Sequence, residues 1–144
     1  MKKSLLTLMA ICLVIVGCQT VSSTHEKILS SAQILDLFEK PGIQLTEPTG
    51  LHPENVFLRT LNEVSPQAFT INEGQLISIY VYPSSREAKK GIKDFEEKTA
   101  AASVVPHNRY QVANVLLFYV TEGSPDDKRI ELVVEEMRSL TNLN

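Results

Sequence analysis

Apolar positions along the chain recur at two spacings, and each spacing predicts its own kind of element. Ile28, Leu35 and Phe38, with Ile34 and Leu37 beside them, fall on one helical face; Ala88, Ile92 and Phe95 form a second such stripe. Ile130, Val133, Val134, Met137 and Leu140 form a third. Each stripe follows a helix-start signal. Ser23-Thr24-His25-Glu26 is a capping box that predicts a helix to about Glu39, ended by Lys40-Pro41-Gly42. Ser84-Ser85-Arg86-Glu87, after Pro83, predicts a second helix to about Thr99. Ser124-Pro125-Asp126-Asp127 predicts a third, with Ser at the cap, Pro at the first helical position and acids where the dipole favours them.

The other spacing is that of strands. Leu76 to Tyr82 and Val115 to Thr121 are β-branched and aromatic. Each comes after a shorter partner and a tight turn: Ala68 to Ile71 through Asn72-Glu73-Gly74, and His107 to Val112 through Ala113-Asn114, with Asn suited to the left-handed conformation. Strand, strand, helix therefore occurs twice, and Ile79-Tyr80-Val81 aligns with Phe118-Tyr119-Val120 at an offset of 39. The expected class is α+β: a two-layer sandwich of a four- to five-stranded antiparallel sheet and about three helices, read as two ββα repeats. A shared building plan explains the repeat as well as duplication does. Between Ile43 and Pro66 the pattern is weaker. Ile43-Gln44-Leu45 alternates like a strand, Pro48, Gly50 and Pro53 break any regular element after it, and Asn55 to Leu58 reads as one helical turn.

The first residues fit neither spacing. Met1-Lys2-Lys3 is basic, and Leu5 to Val16 is an apolar run interrupted only by Thr7, short of the roughly 20 residues a spanning helix needs. Ile15-Val16-Gly17-Cys18 matches the lipobox of bacterial lipoproteins. The expectation is a signal peptide over residues 1–17, a diacylglycerol and N-terminal palmitate on Cys18, a tether over 18–25, and one domain over 26–144. Two or more acyl chains anchor stably where one is marginal. Gln19 to His25 spans about 25 Å at most, so the domain is expected close to the bilayer. The expected location is the extracytoplasmic face of the cell membrane, or an outer membrane in a host with two membranes, for which Gln19 rather than Asp fits the sorting rule.

Composition narrows the function classes. The chain has 144 residues, 43% hydrophobic and 22% charged, which suits one packed domain. Net charge is −3, and about −5 once Lys2 and Lys3 are removed with the leader. That balance argues against a nucleic-acid partner. Cys12 and Cys18 are the only cysteines, and both are assigned, so no disulfide, thiolate nucleophile or zinc cage is expected.

The run Leu61-Asn62-Glu63-Val64-Ser65-Pro66, with Phe69, Ile79-Tyr80-Val81, the Ser-started helix with Gly91 and Phe95, and Asn114-Val115-Leu116 with Tyr119, resembles a group of small lipoproteins from Bacillus and its relatives. The likeness covers most of the chain after Cys18. It implies a one-membrane host and carries over no functional residue, since its motifs are structural.

Candidate chemistry is sparse. His25, His52 and His107 lack metal-ligand spacing; His52 with Glu54 and His107 is a conceivable site, but scattered surface histidines are the commoner case. The acid pairs Glu96-Glu97, Asp126-Asp127 and Glu135-Glu136 sit on adjacent residues, which point about 100° apart on a helix and do not face one substrate. No Gly-x-Ser-x-Gly, Ser-x-x-Lys or phosphate loop is present. No catalytic residue, metal ligand or cofactor is assigned.

Two features break local rules. The second helix carries Arg86, Lys89, Lys90 and Lys93 early and Glu96 and Glu97 late, against its dipole, at about 0.3–1 kcal/mol per exposed charge. A basic patch for lipid phosphates or wall polymers is one reading; a solvated face with Lys93–Glu97 and Lys90–Asp94 pairs is the blander one. The second feature is the sheet's far face, with Tyr80, Tyr82 and Phe118: either a binding surface, or covered by the first helix or the 43–66 segment. The expected function is a membrane-tethered binding or accessory module for an envelope protein or wall polymer. The alternative is an inhibitor or immunity-type protein acting on an exported enzyme through a loop at Glu47–Pro53, with an envelope hydrolase third.

Overall fold

The structure is a computed structural model that describes residues 25–72, 74–123 and 125–142. The proposed leader, Cys18, and the box opened by Ser23 and Thr24 lie outside the described residues. Within them the fold is α+β: helix α1 (Ser31–Glu39), a single 3₁₀ turn (Val56–Leu58), strands β1 (Gln67–Ile71) and β2 (Gln75–Val81), helix α2 (Ser85–Thr99), strands β3 (His107–Val112) and β4 (Val115–Val120), and helix α3 (Arg129–Asn142). The strands form one antiparallel sheet in the order β1-β2-β4-β3. Leu76 pairs with Val120 and Val81 with Val115 across its centre.

Strand spans match the expected ones within a residue. The turn at 113–114 differs in detail. Ala113 takes the positive φ, 46°, while Asn114 is buried and its side chain is used elsewhere. Its amide oxygen accepts from the Leu29 N–H at 2.8 Å, and its NH₂ donates to the carbonyls of Leu29 (3.0 Å) and Tyr82 (2.8 Å).

Those bonds explain where α1 begins. Leu29's backbone groups are committed to Asn114, so the helix cannot run back to residue 26. It opens instead on a second box, Ser30 with Gln33, in which the Gln33 N–H reaches Ser30 Oγ and the Ser30 N–H reaches Gln33 Oε1. Glu26 is not the N3 partner expected for it; its carboxylate accepts from the Ser85 N–H at 2.9 Å, at the start of α2. The far end of α1 closes as expected. Gly42, at φ 72°, donates to the Glu39 carbonyl and Ile43 to that of Phe38, a Schellman pair. Helix α3 opens later than expected, at Arg129, with Asp127 Oδ1 accepting from the Arg129 N–H at 3.0 Å. Ser124, expected as its cap, lies outside the described residues.

Alternation along the strands produces two cores. Ile77, Ile79, Leu117 and Tyr119 face α1 and α3, meeting Ile34, Phe38, Val133 and Met137. Leu76, Tyr80, Leu116 and Phe118 face α2 and the 51–64 segment, meeting Ala88, Phe95, Phe57 and Leu61. Both faces of the sheet are thus covered, and the expected sandwich gains a third layer. Among the described residues a fifth strand does not form: Thr46 makes a single antiparallel bridge with Thr70, on the outer edge of β1.

The order strand, strand, helix does occur twice. From the first unit to the second, the lateral position of the outer strand, the direction of the inner strand and the face that holds the helix are all reversed. Reversing three directions is an inversion, so the two ββα units have opposite hands and no rotation superposes them.

Candidate functional site

The far face of the sheet is closed. Tyr80 and Phe118 are 0% exposed and Tyr82 is 2% exposed, so these three form no binding surface. The tyrosines hold the covering segment down. Tyr80 donates its hydroxyl between the carbonyls of Arg59 (2.7 Å) and Phe57 (3.2 Å), and Tyr82 donates to that of Leu61 (3.1 Å). Burial pushes both phenol groups well above the ordinary tyrosine range, Tyr80 further by its neighbour Tyr82 and Tyr82 by Asp94. Under the segment Phe57, Phe95 and Phe118 pack together, with the Phe95 and Phe118 rings 4.5 Å apart. His107 packs on the edge of this group, 5.0 Å from Phe57, its Nδ1 2.9 Å from the Val105 carbonyl.

Where the covering segment stops, a cleft of about 440 Å³ opens. Leu51, Glu54 and Phe57 line one side, Ser103, Val104 and Val105 another, and Gly74, Gln75, Thr121 and Glu122 close it at the end of the sheet. Its lining mixes apolar side chains, Leu51, Val56, Phe57 and Leu76 among them, with two carboxylates, Glu54 and Glu122, and among the described residues no Lys or Arg lines it. Gln75 is held from behind, accepting from Asn72 and donating to the Pro125 carbonyl. Such a cleft suits a ligand with an aliphatic part and a cationic or hydrogen-bond-donating part. None of its residues stands out in the sequence as part of a cleft, because two irregular segments supply much of it, the first held at Phe57 by the Tyr80 hydroxyl. The one sequence signal for it is the doubly apolar β4, which demands a cover and hence a rim.

The histidines are placed separately. His25 is exposed beside α1, His52 accepts from the Glu54 N–H at 3.2 Å, and His107 is half-buried. Among the described residues no three His, Cys, Asp or Glu are grouped as metal ligands. The acid pairs diverge as helix geometry requires: Glu96 meets Arg109 and Glu97 meets Lys93, while Glu135 meets Arg138 and Glu136 meets Lys40. The loop at 47–53 is largely exposed, but Leu51 turns inward onto the second core.

Arg86, Lys89, Lys90 and Lys93 are all exposed, as a single stripe opposite the buried face of α2, and Lys98 is exposed in its last turn. Lys93 meets Glu97 at 3.7 Å as expected. The expected Lys90–Asp94 pair is replaced. Lys90 meets Glu87 at 2.7 Å, and Asp94 instead takes Lys98 and the Asn62 N–H, each at 2.7 Å. Burial works against ionised Asp94, yet these two donors hold its carboxyl below the ordinary range. Hydrogen bonds from Lys90 and Asn62 do the same for Glu87.

A second polar cluster lies at the cleft end of the sheet. Asp127 takes the Arg129 guanidinium on both oxygens (2.6–3.1 Å) and the Asn72 amide at 3.0 Å, and these hold its carboxyl well below the ordinary range. Arg129 also donates to the Gly42 carbonyl and to Asn72 Oδ1, each at 3.0 Å. Every polar group there is turned onto another, which is the signature of a structural tie. Among the described residues no helix is long and apolar enough to cross a membrane. No protein-family model matches this chain, and no curated protein and no solved structure does either.

Proposed function

We propose that the chain is a lipid-anchored extracytoplasmic protein whose domain is a binding or accessory module for another component of the cell envelope. One observation carries this reading: the cleft and the start of the described chain lie at opposite ends of the sheet. Residues 26–29 are bonded to Ser85 and Asn114, beside the end of β2, whereas the cleft opens beside its beginning, at Gly74 and Gln75. Seven residues of β2 separate the two ends by about 20 Å. An anchor on Cys18 therefore leaves the cleft directed away from the bilayer, where a partner can reach it. The lipobox and the apolar leader support the anchor; the two carboxylates and the apolar side chains that line the cleft support a polypeptide partner with exposed basic and aliphatic side chains.

The test is site-specific photocrosslinking in intact cells. With the crosslinker at Val105 on the cleft rim, one envelope protein is expected to be captured; with it at Leu132, exposed on α3, that protein is expected to be absent. Equal capture from both positions, or none from Val105, overturns the reading. A captured exported enzyme that loses activity on adding the domain turns the module into an inhibitor. The anchor is tested separately, by the mass of the N-terminal peptide of the native protein.

A further inference from the structure

On the solvent stripe of α2 a run of bases precedes Glu96 and Glu97, against the helix dipole, although Glu87 in the first turn and Lys98 in the last follow it. Arg86, Lys89, Lys90 and Lys93 occupy the first half of the solvent stripe, while Glu96 and Glu97 occupy the second half. Only Lys90 and Lys93 make ion pairs there; Arg86 and Lys89 make none among the described residues. The basic half begins where the chain enters the domain: Glu26 bonds the Ser85 N–H, one residue before Arg86. Exposed apolar surface lies at the same place, since Ile28 is 52% exposed and Pro83, at the start of the α2 approach, is also exposed.

We propose that this corner of the domain, with Arg86, Lys89 and Lys93 as its charges and Ile28 as its apolar contact, rests on the anionic lipid headgroups of the membrane that holds the anchor. The inference depends on the anchoring reading above. Two arguments commit it to lipid. The chain outside the described residues is short: Gln19 to His25 reaches about 25 Å at most, so the corner stays near the surface from which the chain emerges. The sign is also complementary. Exposed cations are drawn to an anionic leaflet once they come within about a Debye length, ~8 Å at physiological salt, and the tether is short enough for this corner to come that near. Glu26 and Glu87 are the acids of the corner, and both are occupied, by the Ser85 N–H and by Lys90.

The experiment uses the lipidated full chain, purified from membranes and set into nanodiscs of phosphatidylcholine alone or mixed with phosphatidylglycerol. Lysines are pulsed with a water-soluble acetylating reagent and read by mass spectrometry. Lys89 and Lys93 are expected to react roughly threefold more slowly in the anionic discs, with the protection erased at about 1 M salt, where screening is within ~3 Å. Lys128, beside the cluster at the opposite end of the sheet, is expected to react equally in both. R86Q/K89Q is expected to release Lys93. Equal rates for Lys89 and Lys93 in the two discs overturn the proposal. A native chain with a bare Cys18 thiol overturns the anchoring reading instead, and is recognised by mass alone.

Discussion

Glu63 stands at φ 66° and Asn62 at φ 44°, the two central residues of a turn closed by Leu61 and Val64 in both directions. A pair of left-handed residues in such a turn favours Asn followed by Gly, and Asn-Glu meets only the first preference. Asn62 is also employed, donating to Glu87 and Asp94 on α2, while the Glu63 side chain is exposed. Glu63→Gly is therefore expected to stabilise the domain by about 0.5–1 kcal/mol, the left-handed penalty less the extra entropy of glycine, read by urea denaturation. Gly91 is the opposite case. A Cβ there would fall on the Tyr82 hydroxyl, with Cζ at 2.5 Å, and Tyr82 is buried and bonded to Leu61. Alanine's better helix propensity, about 1 kcal/mol, is outweighed by the overlap and the lost hydrogen bond, so Gly91→Ala is expected to destabilise by about 1–3 kcal/mol. In a double-mutant cycle Tyr82→Phe should cost less in the Gly91→Ala background than in the wild type. Ser78 Oγ is buried in the second core without a hydrogen-bond partner among the described residues, and Ser78→Ala is expected to be neutral or stabilising by up to about 1 kcal/mol in the same assay.

Elements are legible in the sequence where local signals and tertiary contacts agree. The strands can be read within a residue because alternation, aromatic content and turn residues coincide at 67–81 and 107–120. The start of α1 cannot, because two boxes, at 23–26 and 30–33, are equally good locally, and Asn114, eighty-five residues from Leu29, decides between them. The cleft is legible only as the rim that the doubly apolar β4 requires, since irregular segments supply much of it. Handedness explains the repeat. An offset of 39 is odd, so it puts Tyr80 in the core with α2 and Tyr119 in the core with α1 and α3. Each tyrosine faces its own helix, but the units are mirror-related, which favours a shared building plan over duplication. The cover on the second face supplies a further prediction. Both Tyr80 and Tyr82 must stay protonated to donate, and their folded values are raised above the usual 10. Their contribution is complete below pH 10 and lost as pH rises toward the folded values. Stability is expected to fall above about pH 10, and to fall less steeply in Tyr80→Phe, with tyrosinate absorbance appearing together with unfolding.

At the scale of the whole molecule the two ends of the sheet have different tasks. One end carries Asn114, residues 26–29 and the basic half of α2; the other carries the cleft and the Asp127 cluster. That cluster joins four pieces remote in sequence: the end of α1 at Gly42, the turn at Asn72, the loop after β4 and the first turn of α3. It ties these pieces together by charge and hydrogen bonds beside the buried Ile43, Ile71 and Ile130. Arg129 keeps its charge across the accessible range, so the tie depends on Asp127 being ionised. The depressed carboxyl sets the sign: the contribution is present above the ordinary value of 3.8 and is lost as pH falls from there toward the lower folded value. The domain is therefore expected to lose stability below about pH 4 by taking up a proton at Asp127 on unfolding. Asp127→Asn keeps the shape of the side chain and removes the charge, so it should be less stable at neutral pH and show a shallower decline in acid. Urea midpoints between pH 7 and pH 3 measure both. Parallel declines for the variant and the wild type would remove Asp127 from this role and leave the far end fixed by packing alone.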